Sequence, residues 1–532
     1  MVLTQFAFSP RGRVARVTSA PSIGPIRPVT AWPVRAVRQA GLLLCASAVL
    51  ATGAACQEGP PQDVAGAELR GHASDPLVER FYSARGWSAA WSEDQAQALA
   101  EALERAPRHG LSARPFLDLI VASEDPARRD AGLTHAALSY AKALAHGVVD
   151  PASLHDIFEL ERNNVDVVAG LSQALERGEL EPWLAALPPQ DAEYEALSRA
   201  YLAARSDPDA SAELGGGPLI RPGGADGRLP AIVRQLQARG YLDEGQAPDR
   251  YGPELVAAVR KLQTDAGLKP DGIVGPATLK ALGAGSEDRA RQLAVNLERR
   301  RWLARRPPAT RIDVNIPWAL LNYVENGASA WSGRTVVGER KRSTPLLEDS
   351  FRQLVVNPPW NVPQRIAAEE ILPKGAGYLR RNNMVVQDGR VIQKPGPEAA
   401  LGLVKFDMQN EYAIYLHDTP AKALFAAAER QRSHGCVRVE KAVEFARFLA
   451  ERYGAAETFD TALASGETKV VELNAEIPVR LLYHTAVLGS DGRILLGRDP
   501  YGWDAQLAQA LGLGGEAAVE AGESAAAVEL GP

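Results

Sequence analysis

The chain has 532 residues, which is more than one hydrophobic core usually organises, so two or three domains with linkers are expected. Its composition, with 46% hydrophobic and 23% charged residues, is typical of a soluble globular protein. The formal net charge is only -6, which argues against nucleic acid or an acidic membrane surface as the partner.

The N-terminal segment, residues 1–56, has the layout of a secretory signal. Basic residues between Arg11 and Arg38 precede an apolar run from 40 to 55. This run is short for a membrane-spanning helix, although an uncleaved N-terminal anchor is left open. Cys56 follows small residues that are similar to a lipoprotein cleavage box, but the usual aliphatic residue three positions upstream is missing. We therefore expect export to the periplasm, and we leave lipid attachment and the true translation start open.

The region 75–214 is predicted to be a helical scaffold domain. Apolar residues recur at three- and four-residue spacing, most clearly over 96–103 and 133–144. The region contains no histidine, cysteine and carboxylate cluster at metal-ligand spacing, which favours a scaffold over a catalytic role. Whether it recruits partners is left open. A Gly/Pro-rich linker, 215–228, follows it.

A compact unit over 229–283 shows two amphipathic helices, Pro230–Arg239 and Pro253–Ala266, and a turn-rich segment that opens a third at Thr278. The order of its glycine, apolar and glutamine positions resembles the small three-helix peptidoglycan-binding module. The resemblance implies that the unit holds cell-wall glycan or stem peptide in a shallow groove. The alternative is that it only packs against its neighbours.

After a helical connection over 284–309, the sequence predicts a mostly β domain over 310–511 and a disordered tail over 512–532. The predicted strands are Arg311–Ile316, Arg334–Val337, Gln353–Val356, Met384–Val386, Val391–Gln393 and Tyr412–Leu416. An apolar cluster over 479–488, a hairpin turn over 490–493 and a strand over 494–496 complete the domain.

Cys436 is the only cysteine outside the N-terminal segment, so no disulfide framework is expected. A thiolate is a strong nucleophile, but a free thiol has a pKa of about 8.5 and needs a base at neutral pH. His417 is the candidate base. A strand that ends at His417, a helical excursion over 421–429 and a return at Cys436 would bring the two side chains together.

The neighbours of the cysteine also fit acyl transfer. Gly435 allows the backbone to approach a carbonyl group closely, and the N–H groups of Gly435 and Cys436 are candidates to stabilise an oxyanion. A helix predicted over Glu440–Ala450 would favour the thiolate through its positive end. The alternative is a buried structural cysteine near two unrelated histidines.

Two motifs, His417-Asp418 and Ser433-His434-Gly435-Cys436-Val437-Arg438, resemble the signature of the L,D-transpeptidase family. The segments 357–363, 370–374 and 395–397 resemble the large periplasmic subgroup of that family. The resemblance implies a multidomain α+β protein with a helical scaffold, a small three-helix peptidoglycan-binding module and a mostly β catalytic domain.

In such an enzyme Cys436 would be acylated by a tetrapeptide stem, which would release its terminal D-alanine, and His417 would act as the base. The side-chain amine of a diamino acid in a neighbouring stem would be the acceptor. The product would be a 3→3 cross-link between stem peptides, which belongs to cell-wall biogenesis and the maintenance of cell shape.

The resemblance assigns further residues to the site. Ser433, His434 and Arg438 are expected to line or brace it, with a structural ion pair as the alternative for Arg438. Trp360 and Tyr415 are predicted as pocket walls or, alternatively, as core aromatics. Asp418 is expected near the substrate, but as the residue whose backbone orients the imidazole rather than as a third member of a triad.

A segment over 369–397 resembles a lid, since it is longer than an ordinary connection between strands. At Glu398-Ala399-Ala400 it departs from the small-residue turn of relatives. No cofactor or metal is expected, because HxxEH and CxxC spacings are missing. The expected partners are peptidoglycan stem peptides, with no nucleic acid and with the membrane reached only through the N-terminus.

Two other functions stay open. A cysteine endopeptidase or amidase would use the same nucleophile and base but pass the acyl group to water, and motifs do not report this partition. A non-catalytic wall-binding protein would need neither residue, so the intact Cys436 and His417 pair argues against it.

Overall fold

The computed structural model describes residues 66–120, 123–206, 214, 216–243, 250–283 and 285–513, all of which belong to one compact unit, 60–532. The predicted signal with Cys56 and the predicted tail from residue 514 onwards lie outside the described residues. Among the described residues, no helix has the length and apolar character needed to cross a membrane.

The first part of this unit is helical, as predicted. Its helices are Gly66–His72, Pro76–Ala84, Glu93–Glu104, Arg114–Leu117, Pro126–His146, Val167–Arg177, Leu180–Ala186 and Ala192–Ser206, with single 3₁₀ turns at Ala106–His109 and Pro151–Ser153. Asp75, Ser92, Asp125 and Asp166 cap helix starts by accepting backbone N–H groups. The long helix Pro126–His146 is the centre of this bundle, because most of its small and apolar side chains are buried.

A three-helix module follows, with helices Leu229–Ala238, Pro253–Asp265 and Pro276–Gly283. Gln263 is buried and organises the turn before the last helix: its amide nitrogen donates to the carbonyl of Ile273, and its oxygen accepts from Gly272 N–H at 2.8 Å. Gly272 has a φ of +72°, which glycine adopts without strain. Thr278 lies inside the third helix rather than at its start, which corrects the sequence-based prediction.

The helix Ser286–Trp302 joins the module to the β region. It packs against the helices Ala192–Ser206 and Trp503–Ala510. Glu298 and Arg301 form a fully buried ion pair on it, and Arg301 also donates to the hydroxyl of Tyr194. A buried charge needs such partners, so this pair fixes how the helical part meets the rest of the unit.

Except for β1, the strands of the described residues belong to the β region. The strands are β1 Phe158–Glu159, β2 Arg311–Asn315, β3 Leu320–Glu325, β4 Ala328–Gly338, β5 Leu346–Val356, β6 Trp360–Asn361, β7 Met384–Gln387, β8 Arg390–Gln393, β9 Val404–Phe406, β10 Leu416–His417, β11 Gln431–Ser433, β12 Val437–Val439, β13 Lys469–Leu482, β14 Ala486–Leu488 and β15 Ile494–Leu496. The main sheet is ten-stranded, in the order β1-β5-β13-β2-β3-β4-β12-β10-β9, with β11 beside β4. β9 also pairs with β5, so the sheet curls back on itself. β1 comes from the helical part, which therefore shares this sheet.

Helices and shorter pieces cover the sheet. Helices Ala442–Arg452 and Ala456–Ser465 bury their apolar faces in the main core, where Phe445 stacks on Trp331 at 4.2 Å. Short 3₁₀ turns lie at Arg340–Arg342 and Lys422–Ala426, the latter within the predicted helical excursion. β14 and β15 form the hairpin that the sequence predicts.

The segment between β6 and β9 forms a small subdomain of its own. It contains the one-turn helix Gln364–Ile366, the π-helical turn Ala367–Ile371, the 3₁₀ turn Leu372–Lys374 and the helix Gly375–Arg381, followed by a hairpin of β7 and β8 that pairs with β6. A separate apolar cluster holds these pieces together. The predicted lid, 369–397, occupies most of this subdomain.

Two predicted elements near the cysteine differ from the structure. Of the predicted strand Tyr412–Leu416 only Leu416 is in a strand, because Asn410 accepts the N–H groups of Tyr412 and Ile414 and turns the chain. The predicted helix Glu440–Ala450 begins only at Ala442, since β12 intervenes after the cysteine. Its positive end is therefore not next to the thiol.

Candidate active site

The thiol and the imidazole of the predicted pair lie on neighbouring parallel strands. β10 pairs with β12 so that Leu416 is opposite Val437 and His417 is opposite Arg438. Leu416 and Val437 point into the core. Side chains alternate along a strand, so His417 and Arg438 lie on the other face, together with Cys436, which directly precedes Val437. The pairing of β10 with β12 thus brings the predicted nucleophile and the predicted base to one face.

The environment of His417 selects one tautomer. Its Nδ1 lies 2.5 Å from the backbone carbonyl oxygen of Asp418. A carbonyl oxygen only accepts, so Nδ1 carries the proton and Nε2 keeps its lone pair. Nε2 has no hydrogen-bond partner among the described residues. Burial, and then the positive charge of Arg438, lower the pKa of His417 to about 3, so the imidazole is a neutral base at neutral pH.

Cys436 is a free, half-buried cysteine whose thiol donates to the carbonyl of Ala413 at 3.4 Å. Burial raises the pKa of this thiol, although contacts with Tyr415 and the positive charges of Arg438 and Lys405 oppose the rise. The resting pair is therefore a neutral thiol and a neutral imidazole rather than a thiolate–imidazolium ion pair. Such a pair can react when the base removes the proton during attack.

The turn that carries the cysteine is braced from inside. Ser433 Oγ donates to the carbonyl of Cys436 at 2.6 Å and accepts from the N–H of Gly435 at 3.2 Å. Gly435 has a φ of +120°, and a Cβ there would lie 3.2 Å from Ile414 Cδ1. The N–H of Gly435 is thus occupied, contrary to the expectation that it faces an oxyanion. The N–H of Cys436 has no such partner within the described ranges.

Aromatic and basic side chains surround the thiol. The hydroxyl of Tyr415 interacts with Cys436 and with the side chain of Trp360. The ring of Tyr415 lies 5.7 Å from that of His417, with Lys405 Nζ 4.6 Å from its centroid. Arg438 is almost fully buried, and that burial lowers its pKa to about 10. Tyr415 therefore lies beside both Cys436 and His417.

Asp418 plays two separate parts. Its backbone carbonyl holds His417, while its carboxylate accepts from the N–H of Leu403 at 3.0 Å and from the ammonium of Lys422. A Cβ on Gly402, whose φ is +61°, would lie 2.4 Å from this carboxylate. The carboxylate is therefore engaged away from the imidazole, which agrees with the expectation that it is not a third triad member.

A cavity of about 600 Å³ lies between the main sheet and the small subdomain that contains the predicted lid. Trp360, His434 and Arg438, all predicted from the sequence, line it. Asp418, Ser433 and Cys436 do not contribute to its lining. Further charged side chains on the wall come from the lid and its end: Lys374, Arg381, Glu370 and Glu398. The cavity therefore offers several positive groups and two carboxylates to a ligand.

The lid is tied to the turn of the cysteine by Glu370. Its carboxylate accepts from Arg342 Nη1 at 2.6 Å and lies 2.8 Å from His434 Nε2. Burial raises the pKa of Glu370, but the interactions with His434 and Arg342 outweigh it and lower the pKa below its ordinary value. Sequence reasoning noticed the motif that contains Glu370 without giving the residue a role, because its partners come from distant parts of the chain.

The described residues contain no group of three or more His, Cys, Asp or Glu side chains that could hold a metal ion. A helical bundle, a three-helix module and a β domain with a thiol and an imidazole on one face of its sheet define the class of a multidomain α+β protein.

Comparisons with known proteins agree with this class. Residues 309–471 match the sequence model of the L,D-transpeptidase catalytic domain, 227–282 match that of a peptidoglycan binding domain, and 76–200 match that of a scaffold domain. The first match includes both His417 and Cys436. The region 309–471 of the chain therefore matches the L,D-transpeptidase catalytic domain, beside the matches to a scaffold and to a peptidoglycan binding domain.

Relatives cover parts of the chain. A Haemophilus influenzae protein assigned to the L,D-transpeptidases is 37% identical over 221 residues, which is 37% of this chain and 45% of that protein. The match thus spans less than half of the relative's length. The N-acetylmuramoyl-L-alanine amidase CwlL of Bacillus licheniformis is 41% identical over 69 residues, 13% of this chain and 19% of that protein. A solved L,D-transpeptidase from Stackebrandtia nassauensis has 13% identity and a TM-score of 0.22, covering 49% of this chain and 94% of that one.

Proposed function

We propose that this chain is a peptidoglycan L,D-transpeptidase that joins two stem peptides by a 3→3 cross-link, with Cys436 as nucleophile and His417 as base. The observation that carries the proposal is the state of His417. Its Nδ1 is held by a carbonyl and its Nε2 lone pair has no partner in the described part of the chain, on the sheet face that carries Cys436. An imidazole in this state can accept a proton from the thiol.

In the first half-reaction a tetrapeptide stem is the acyl donor. Cys436 Sγ attacks the carbonyl carbon of the third residue while its proton passes to His417 Nε2. The tetrahedral intermediate collapses to a thioester, and the C–N bond to the terminal D-alanine breaks. The proton held by the imidazole passes to the departing amine, so D-alanine leaves neutralised and His417 is again a base.

In the second half-reaction the side-chain amine of a second stem attacks the thioester. His417 accepts a proton from this amine, a new amide bond forms, and the C–S bond breaks. The proton returns to the sulfur, which restores the neutral thiol. The complete cycle thus begins and ends with the neutral thiol and the neutral imidazole of the resting site, and the thioester with a neutral imidazole stands between the two half-reactions.

The surroundings of the pair suit this chemistry. The Cys436 N–H is the backbone group best placed to donate to the oxyanion, because the Gly435 N–H is already bonded to Ser433. The positive side chains Lys374 and Arg381 on the cavity wall fit the carboxylates of stem peptides. A lid that excludes water would favour an amine acceptor over hydrolysis.

The remaining domains fit a wall-bound substrate. The peptidoglycan-binding module over 227–282 would raise the local concentration of the catalytic domain at the wall. We propose a periplasmic location for the mature protein, with export directed by the segment 1–56. Peptidoglycan stem peptides are the proposed partners, and the scaffold domain is a candidate surface for cell-wall synthesis proteins.

Purified tetrapeptide-stem muropeptides test the proposal. The protein should convert them to dimers that tandem mass spectrometry identifies as 3→3 linked, with release of D-alanine, and Cys436→Ala should form none. Tripeptides with free D-alanine but no dimer would show that water is the acceptor and that the protein is a peptidase that removes the terminal residue. No turnover of muropeptides or intact sacculi by folded protein would overturn the enzymatic proposal and leave a wall-binding role.

A further inference from the structure

The turn that carries Cys436 is held by hydrogen bonds that start beyond the matched catalytic domain. The carbonyl of Gly435 accepts from Thr344 Oγ1 at 2.7 Å. The N–H of Thr344 donates in turn to the hydroxyl of Tyr501 at 3.2 Å. Residues 309–471 match the catalytic domain, so Tyr501 lies outside the match.

Gly338 closes these contacts into a ring. Tyr501 donates its hydroxyl proton to the carbonyl of Gly338 at 2.6 Å, and the N–H of Gly338 donates to Thr344 Oγ1 at 2.8 Å. A Cβ on Gly338 would lie 2.2 Å from the carbonyl of Arg342. Each hydroxyl therefore donates one hydrogen bond and accepts another.

This ring is buried and rigid. Thr344 is fully buried and Tyr501 is 2% exposed, so neither hydroxyl can replace its partners with bulk water. The Tyr501 ring packs against Tyr483 and Trp503 at 5.5 and 4.9 Å, and its N–H donates to the Tyr483 hydroxyl. Burial raises the pKa of Tyr501, so its hydroxyl keeps the proton that it donates.

The consequence for the nucleophile is geometric. Gly435 has a φ of +120°, in the region where only glycine is relaxed, and its carbonyl direction sets the orientation of the peptide that leads to Cys436. The N–H of Cys436 belongs to that same peptide. A hydrogen bond from Thr344 to the Gly435 carbonyl therefore also orients the Cys436 N–H, the candidate oxyanion donor, because this N–H points in the opposite direction within the same peptide plane.

We propose that Thr344 and Tyr501 are positioning residues that orient the Gly435–Cys436 peptide, so the C-terminal segment around Tyr501 is part of the catalytic apparatus. They contact no reacting atom and act through the turn. The proposal rests on the proposed function only for its effect on cross-linking. Its effect on the reactivity of the thiol is independent of which acyl group the enzyme transfers.

The test compares variants that remove single hydroxyl groups. Tyr501→Phe and Thr344→Val should each slow the alkylation of Cys436 by iodoacetamide by about tenfold at neutral pH, because the Gly435–Cys436 peptide also sets where the thiol lies relative to its base, and a small misplacement of a reacting group is costly. Thr344→Ser keeps the hydroxyl and should react almost as the parent does. The double variant should be no slower than the slower single variant, because both changes open one ring. Peptide mapping by mass spectrometry assigns the adduct to Cys436.

Tyr323→Phe is the matched control. Tyr323 is a fully buried tyrosine of the same domain whose hydroxyl bonds to Tyr453 at 2.9 Å and does not reach the turn. It should lower the melting temperature about as Tyr501→Phe does, yet leave the alkylation rate within about twofold of the parent. A Tyr501→Phe rate equal to that of Tyr323→Phe would overturn the proposal. If Tyr501→Phe does not fold, the comparison of Thr344→Val with Thr344→Ser tests the positioning role instead. Equal alkylation rates for these two variants would overturn the proposal.

Cross-linking separates the two proposals. If the parent protein forms no dimers but the Thr344 and Tyr501 variants still slow alkylation, the positioning role stands and the transpeptidase proposal fails. If the parent forms 3→3 dimers and the variants alkylate and cross-link like the parent, transpeptidation stands and the positioning role fails.

Discussion

Replacing His417 by alanine gives the sharpest test of the proposed mechanism. The pKa of His417 is lowered to about 3, first by burial and then by the charge of Arg438. The imidazole is therefore neutral at every pH above about 4, and the parent enzyme has its base available throughout the neutral range. His417→Ala removes that base and leaves Cys436 to ionise without help.

The size of the effect follows from the protonation of the thiol. A free thiol with a pKa of about 8.5 is only about 3% ionised at pH 7. Burial raises the pKa of Cys436 further, so its thiolate is scarcer still. A positioned base typically contributes about 10²- to 10⁴-fold to the rate. We expect a loss in that range at pH 7, which should shrink by about tenfold for each pH unit towards the pKa of the thiol, because hydroxide then supplies the ionisation.

A carbapenem is a suitable probe, since its strained carbonyl can be attacked by the same thiol in a single turnover. The rate of adduct formation on Cys436 is followed by intact-protein mass spectrometry from about pH 6 to about pH 9. The parent should show a nearly flat profile and His417→Ala a rising one. His434→Ala is the control, because His434 is paired with Glu370 of the lid and should leave the flat profile in place.

One result would refute this reasoning directly. If His417→Ala acylated as fast as the parent at neutral pH, the base role would lie elsewhere, and His434 would be the next candidate. A parent rate that rises tenfold per pH unit would equally contradict a neutral, always available imidazole.

Three further outcomes are expected. Cys436→Ser should abolish cross-linking, because serine is a far weaker nucleophile in a site built for a thiol, as muropeptide analysis would show. Deleting the module, 229–283, should lower activity on intact sacculi more than on soluble muropeptides, since a binding module raises effective concentration only at the wall. The third concerns stability in acid. Burial, and then the charge of Arg299, lower the pKa of His155 from 6.5 to about 4. The unfolded chain therefore binds the extra proton first as pH falls, and this group should cost about 1.4 kcal/mol of stability per pH unit between its unfolded and folded pKa values. His155→Gln should flatten the pH dependence of the urea midpoint over that window.

Each of these three predictions would be contradicted by a specific result. Cys436→Ser that keeps more than about 5% of parent activity would remove the thiol from its central role. Equal losses on sacculi and on muropeptides would assign the module to folding rather than binding. Equal slopes of stability against pH for the parent and His155→Gln would mean that His155 titrates normally in the folded protein.

Much of the domain order could be predicted because it follows from the local spacing of residue types along the chain. The spacing of apolar residues predicts the helices of the scaffold and of the module, and alternating branched residues predict strands such as β2, β5 and β8. The two motifs around His417 and Cys436 were also evident, since each is a short run of unusual residues. Their catalytic roles stay predictions until the variants are measured.

Other expectations failed where distant parts of the chain meet. The helix after the cysteine was expected to stabilise the thiolate, but β12 separates the two because Val437–Val439 pairs with β4 and β10. The Gly435 N–H was expected to face an oxyanion, but Ser433 occupies it. β13 runs from Lys469 to Leu482 and begins well before the apolar cluster, 479–488, that predicted it. Pairing with β2 and β5 keeps polar residues of β13 in the sheet as well.

The sequence alone thus determined which reactive groups the candidate site contains, since a cysteine, a histidine and a glycine are chemical identities that no fold alters. Tertiary structure alone decided the state of those groups. His417 is neutral because burial and the charge of Arg438, which comes from another strand, lower its pKa. The contact of Glu370 with His434 and the ring from Tyr501 through Thr344 to Gly435 also join residues that are far apart in the chain. Burial and hydrogen bonding depend on what packs nearby in space, and that information appears only when strands pair and domains close on one another.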